Sequence, residues 1–250
     1  MIAALRAETR KLLTVRSTYV IVLISLAIVA LFAGFGGGFR ALPPDLQSPD
    51  LLSKEAGNAI VFVGLILAFA GLLLLAHEYR YNTIMYTLTN SPHRTRVLFA
   101  KIIVVSLFAA ITSIIVCLFS PLCTIIGAHL HGYHIVAQHF DYWSILSKGV
   151  FVGWGYAMYA FILIAILRNQ VGAIVVFLLI PLIGENILTA IFSHAGKYLP
   201  FTSLQSVILR GGGGRPTDLL SVSHSASLVL LYIFVGLLVS FALFVRRDAN

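Results

Sequence analysis

Charge is scarce in this chain. Only 10% of its residues are Asp, Glu, Lys or Arg, against about 25% in a soluble domain. Most of the polypeptide therefore has no water-facing surface to offer. Cysteine is almost missing: Cys117 and Cys123 fall in one apolar run, about 9 Å apart along a helix axis and on different faces. They cannot bridge each other there and read as plain small apolar residues. No H-E-x-x-H pair is present and no Gly-Lys-Ser/Thr, so neither a zinc-protease helix nor a Walker phosphate loop is written here. The run 211–214 is all glycine, but it follows no strand and meets no lysine, and it reads as a flexible linker. No A-x-A-like site follows the first apolar run, which is read as a retained span rather than a cleaved leader.

Hydrophobic residues fill the space that charge leaves, at 59% of the 250 residues. They gather into six long runs: 18–35, 58–76, 102–126, 149–167, 171–192 and 226–245. Each has the roughly 17–25 residues that a helix needs to cross about 30 Å of hydrocarbon. A backbone in lipid must satisfy its own hydrogen bonds, so the runs predict six transmembrane helices. The expected fold is all-α and polytopic, a single membrane domain over 1–250 with no segment left for a separate water-soluble unit.

The net charge of +8 does not point to nucleic acid once its distribution is followed. With the N-terminus inside, Arg6, Arg10, Lys11, Arg16, Arg80, Arg94, Arg96, Lys101, Arg168, Arg246 and Arg247 face the cytoplasm. Arg40, Lys54, Lys148, Lys197, Arg210 and Arg215 face outward. That positive-inside asymmetry sets both termini in the cytoplasm, with the inner residues next to anionic headgroups. The expected location is a prokaryotic cytoplasmic (inner) membrane, and the lipid bilayer is the first partner.

Two segments at the inner face stand out. Residues 1–16 form an amphipathic pattern, with Ile2, Leu5, Leu12 and Leu13 on one face and Glu8, Arg10 and Lys11 on the other. Such a helix lies in the headgroup plane, its basic side chains Arg6, Arg10, Lys11 and Arg16 on phosphate; the alternative is a simple continuation of the first span. The loop 77–100 carries the second signal. Asn82 is a fair N-cap, Ser91-Pro92 a stop, and 83–89 makes two turns bearing Ile84, Tyr86 and Leu88. That is more apolar than a solvated loop requires. It reads as a docking peg for a soluble partner or as a surface helix joining two spans.

The outer segments differ. Residues 36–57, with Gly36-Gly37-Gly38 and Pro43-Pro44, read as irregular loop. The outer region 193–225 holds a stretch too short to span, expected as a small helix at the outer interface or along an exit. His129, His131, His134, His139 and Asp141 form either a metal cluster or a set of solvated interfacial side chains. Glu185, beside Asn186 and after Pro181, is read as the one acid inside a span. An ionised carboxylate in hydrocarbon is costly, so it must face protein or water. Glu185 and Asn186 are the candidates for a translocation path or its outer gate; the other reading is a hydrogen-bonded packing residue. Gly149, Gly153 and Ala157 recur every four residues, a stripe for close helix packing within the subunit or across a dimer.

The opening Leu5-Arg6-Ala7-Glu8-Thr9-Arg10-Lys11-Leu12-Leu13 and the segment Glu78-Tyr79-Arg80-Tyr81-Asn82-Thr83-Ile84 with Ser91-Pro92-His93-Arg94 resemble the membrane subunits of type-2 ATP-binding-cassette exporters. The Glu185 region, Tyr198-Leu199-Pro200-Phe201 and Arg246-Arg247-Asp248 add weaker matches. The resemblance implies a permease that is not itself catalytic. It would hold no cofactor, since ATP is bound by a separate cytoplasmic ATPase, and would pair with a second permease subunit as homo- or heterodimer. Residues 1–16 would be its elbow helix and 83–89 its coupling helix, with Glu78, Tyr79, Asn82, Thr83, Ile84, Tyr86, Leu88 and Arg94 at the contact. Asn82 stands where the family often has Gly. A membrane sensor or scaffold, or a membrane-embedded enzyme, is the alternative.

Overall fold

The computed structural model of the chain describes residues 2–40, 48–80, 94–135, 140–192, 194–209 and 220–247. Among the described residues there is no strand, and six helices are long and apolar enough to cross a membrane. The chain is a multi-pass membrane protein. Helix α1 (Ile2–Thr14) is followed by the spans α2 (Arg16–Phe39), α3 (Leu51–Arg80), α4 (Arg94–Leu130), α5 (Tyr142–Leu167) and α6 (Gln170–Ile191). A short helix, α7 (Pro200–Ser206), precedes the last span, α8 (Val222–Arg247).

The core is built on α3 and α5, which pack along each other and against α4. In their most apolar stretches 61% and 67% of residues are buried, against 17% in α6 and in α8. The outer helices thus leave most of their apolar side chains, such as Val171, Leu182, Leu231 and Phe234, outside the bundle. That surface is expected of helices facing lipid rather than water. The small-residue stripe on α5 decides the core spacing. A Cβ on Gly149 would collide with the Cys117 thiol, one on Gly153 with the Ser113 hydroxyl, and Ala157 lies under Gly71 of α3. The stripe serves contacts within the subunit.

Three boundaries differ from the sequence expectation. The stretch 36–39 is not loop: α2 continues through a π-helical segment, Ala30–Phe39, that carries Gly36-Gly37-Gly38. Gly34 and Gly38 form its contact with α4, since a Cβ on Gly38 would meet the Thr124 carbonyl, and one on Gly127 the carbonyl of Gly34. Glycine is used here for close approach, not for a turn. Next, α3 starts at Leu51, where Leu51 and Leu52 are buried. This brings Glu55, half-buried beside Gly37, into the helix, so Glu185 is not alone as an acid within a span. Finally, the loop expected over 77–100 is shorter: α3 runs to Arg80 and α4 begins at Arg94.

Helix α1 is a separate element. Val15, with extended angles of φ −80° and ψ 124°, breaks the path before Arg16 opens α2. Arg16, expected in the interfacial helix, therefore belongs to the first span. The faces of α1 also differ from expectation. Glu8 is buried with Leu12, whereas Leu13 is 54% exposed. The reason is a counter-charge: the Lys101 ammonium of α4, itself 1% exposed, donates to Glu8 Oε2 at 2.8 Å, and Lys11 donates to Oε1 at 3.0 Å. Lys101 is consequently an interior ion-pair partner and not a headgroup contact.

Candidate functional site

The most elaborate polar constellation surrounds Glu185. Pro181 has no N–H to give to the carbonyl four residues back, and there α6 widens into a π-helical turn, Ile180–Gly184. The Glu185 amide reaches the Ile180 carbonyl, five residues away. Asn186 Nδ2 covers the Leu182 carbonyl at 2.8 Å and the Pro181 carbonyl at 3.3 Å. Asn186 is exposed and spends its amide on its own helix.

Beyond this turn Glu185 points inward and is 4% exposed. Its carboxylate meets the first turn of α7. Oε1 accepts the Phe201 amide at 2.7 Å; Oε2 accepts the Thr202 amide at 2.6 Å and the Thr202 hydroxyl at 2.7 Å. Helix α7 opens with Pro200 and has no side-chain cap of its own, since Leu199 occupies that position. Glu185 supplies the missing acceptor from another element, with a negative charge at the positive end of the peptide dipoles.

The surroundings hold the same segment from other sides. The Tyr159 hydroxyl donates to the Pro200 carbonyl at 3.3 Å, Gln205 Nε2 donates to the Tyr156 hydroxyl at 3.0 Å, and the Tyr232 hydroxyl donates to the Tyr198 carbonyl at 2.8 Å. Phe201 enters a ring of aromatics, its centroid 5.7 Å from Tyr156, 5.2 Å from Tyr159 and 5.4 Å from Phe177. Leu204 fills the space over Gly155. Side chains of α5, α6 and α8 thus converge on residues 198–205. Helix α7 is drawn against the bundle, with Phe201 and Leu204 buried. With three donors on its two oxygens, Glu185 works here as a latch.

The other sequence candidates are distributed. Glu78, Tyr79 and Arg80 form the end of α3, and Arg94 opens α4; Asn82, Thr83, Ile84, Tyr86 and Leu88 lie outside the described residues, as does the glycine run 211–214. Arg6 and Arg10 are exposed on α1, opposite Glu8. His129 and His134 touch edge to face at 4.9 Å, and His131 packs against Phe39 and Tyr133. Asp141 caps α5 through the Ser144 amide at 3.1 Å. Among the described residues no three His, Cys, Asp or Glu side chains come together as a metal site; His139 lies outside them.

Sequence reasoning missed the donors of Glu185, because backbone amides leave no mark in a sequence. It also missed the Glu8–Lys101 pair, 93 residues apart, although an acid on the basic helix was a signal. At the end of the bundle where α5 turns into α6, Arg168 sits at φ 54° and donates from Nη2 to the Leu243 carbonyl of α8 at 3.0 Å. Compared with known proteins, residues 50–249 match the family described as Protein of unknown function (DUF2705). No curated protein matches the chain.

Proposed function

We propose that the chain, which belongs to the DUF2705 family, is the membrane-spanning permease subunit of an ATP-driven exporter in a prokaryotic inner membrane. It works with a separate cytoplasmic ATPase and a second permease subunit. The observation that carries the reading is the length of the two helices flanking the segment 81–93. Helix α3 has 30 residues and α4 has 37, about 45 and 55 Å at 1.5 Å per residue, where about 30 Å of hydrocarbon needs only about 20 residues. Two rigid rods that overshoot the bilayer and carry an apolar loop between them suit the delivery of a push from a soluble motor. The resemblance of that loop to a coupling helix supports the same reading.

In this arrangement both termini are cytoplasmic, together with the 81–93 loop and the turn at Arg168. The α7 segment then lies at the outer end, where its aromatic plug and the Glu185 latch close the path between inward-facing and outward-facing states. Glu185 is the outer gate's fastening and Asn186 keeps the π-helical turn beside it in shape.

The test is purification from the native membrane in mild detergent. A stoichiometric ATPase is expected with the chain, and its turnover should fall when Ile84 or Leu88 is replaced by Asp. Isolation without any ATPase, or reporter fusions that put residues 81–93 outside the cell, would refute the assignment.

A further inference from the structure

At the end of the bundle away from Arg168, α2 and α4 finish in a ladder of rings that the proposed function does not use. The Arg40 guanidinium lies 5.9 Å from the Phe35 ring centroid. Phe35 stacks on Phe39 at 5.5 Å with planes 13° apart, and Phe39 meets the His131 ring, just past α4, edge to face at 4.9 Å. The ladder is not packed away: Phe35 is 47% exposed, and Arg40 and His131 are exposed as well. A bond from the Arg40 amide to the Phe35 carbonyl, 2.9 Å long, closes the π-helical segment and brings the arginine back beside that ring.

An arginine at the end of a span ordinarily stretches its head into water. Arg40, which directly follows the span Arg16–Phe39, instead covers a ring of that span. Among the described residues it takes part in no ion pair, since the pairs formed there go to Glu8. Glu55 packs on a different side of α2, against the buried Gly37. A cation held at headgroup depth with no carboxylate is matched by a phosphodiester, which a guanidinium grips with two parallel N–H donors. The His131 imidazole brings a further N–H donor. Below them the glycine seam forms a trough. Gly34 and Gly38 let α2 approach Gly127 of α4 with no room for a Cβ, while Phe35 on one helix and Ile126 and Leu130 on the other stay exposed. Apolar walls under a cationic rim have the shape and charge of a site for one phospholipid.

We propose that the α2–α4 seam binds an anionic phospholipid, its phosphate on Arg40 and His131 and one acyl chain along Phe35, Ile126 and Leu130. The site opens to the bilayer at the end of a span, so it holds for either insertion of the chain and stands apart from the function proposed above. In the orientation given there, it draws its lipid from the outer leaflet.

The test uses the full chain in phosphatidylcholine nanodiscs, with a fluorophore on Leu31→Cys, an exposed position one turn before Phe35. Cys117 and Cys123 are buried and stay unlabelled. A minor fraction of doxyl-chain phosphatidylglycerol should quench the fluorophore several-fold more than the same fraction of doxyl-chain phosphatidylcholine. Arg40→Gln with His131→Gln should bring the two quenchers level. Lys197→Gln removes another cation over a ring, 5.5 Å from the Tyr198 centroid, and should leave the preference intact. Millimolar glycerol phosphate should displace nothing. Equal quenching in the wild-type chain, a preference that outlives the double replacement or falls equally with Lys197→Gln, or release by glycerol phosphate overturns the inference. The wild-type ratio decides the matter if the double variant does not fold.

Discussion

Replacing Glu185 with Ala tests whether α7 is held by the carboxylate or by its aromatic plug. The substitution removes the acceptor of three hydrogen bonds, at 2.7, 2.6 and 2.7 Å. It also strands the Phe201 amide, whose residue is 3% exposed. Bonds to a charged group contribute about 1.5–3 kcal/mol each and are not additive. Release of α7 should therefore become easier by about 4 kcal/mol. That corresponds to exchange of the Phe201–Gln205 amides roughly a thousandfold faster, at about 1.4 kcal/mol per factor of ten. Glu185→Gln keeps one acceptor oxygen but turns an amide group towards a donor, and should fall at about 2 kcal/mol. Thr202→Val loses the hydroxyl bond alone, for about 1 kcal/mol. Hydrogen–deuterium exchange on a peptide covering 199–209, compared with one from the α5 core, reads all three. If the three variants exchange like wild type, Phe201 and its neighbours hold the segment unaided and the latch reasoning fails.

Other perturbations separate the remaining contacts. Glu8→Gln leaves the Lys101 ammonium buried without its carboxylate and should cost about 3–5 kcal/mol, whereas Glu8→Leu with Lys101→Met should be close to neutral; thermal inactivation in detergent compares them, and equal losses would contradict a true buried pair. Gly127→Ala forces backbone apart at the α2–α4 seam and should cost about 1–3 kcal/mol or more. Gly36→Ala has its nearest neighbour at 3.9 Å and should be tolerated, so a tolerant Gly127 would show that the seam is loose. Trp154→Phe removes the bond from Trp154 Nε1 to the Ser106 hydroxyl, 2.9 Å long, and should lower stability by about 1 kcal/mol, seen as a modest fall in melting temperature.

The six spans were legible because hydrocarbon thickness imposes a length that apolar runs must meet, and the runs at 18–35 and 149–167 met it. Their ends were less legible. Gly36-Gly37-Gly38 has the composition of a turn, but Gly38 is set against Thr124 and Gly127 of α4 and Gly37 against Glu55 of α3, which no local rule reports. Leu51 and Leu52 lengthen α3 because they are buried against neighbours. The faces of α1 were misjudged for the same reason: periodicity puts Glu8 among the polar residues, and only Lys101 makes its burial tolerable. Glu185 was legible as an acid that must find protein, since lipid would not accept its charge. Where it found protein was not, because its partners are mostly main-chain amides of Phe201 and Thr202. The stripe Gly149, Gly153, Ala157 announced close packing, while Cys117, Ser113 and Gly71 as the surfaces approached had to be seen in space.

The widened turn at Ile180–Gly184 has one more consequence. A single π turn inserts one residue into an otherwise α-helical path, so everything beyond it is rotated by about 100° relative to an uninterrupted helix. In an unbroken helix Glu185, eight residues past Phe177, would point about 80° away from it; the inserted residue returns Glu185 and Thr189 to the face of Ala173 and Phe177, where all but Thr189 are buried. Straightening the turn to ordinary α winding at unchanged length would swing the carboxylate away from the interior, whereas removing a single residue between Leu179 and Glu185 would absorb the widened turn and leave the carboxylate facing inward.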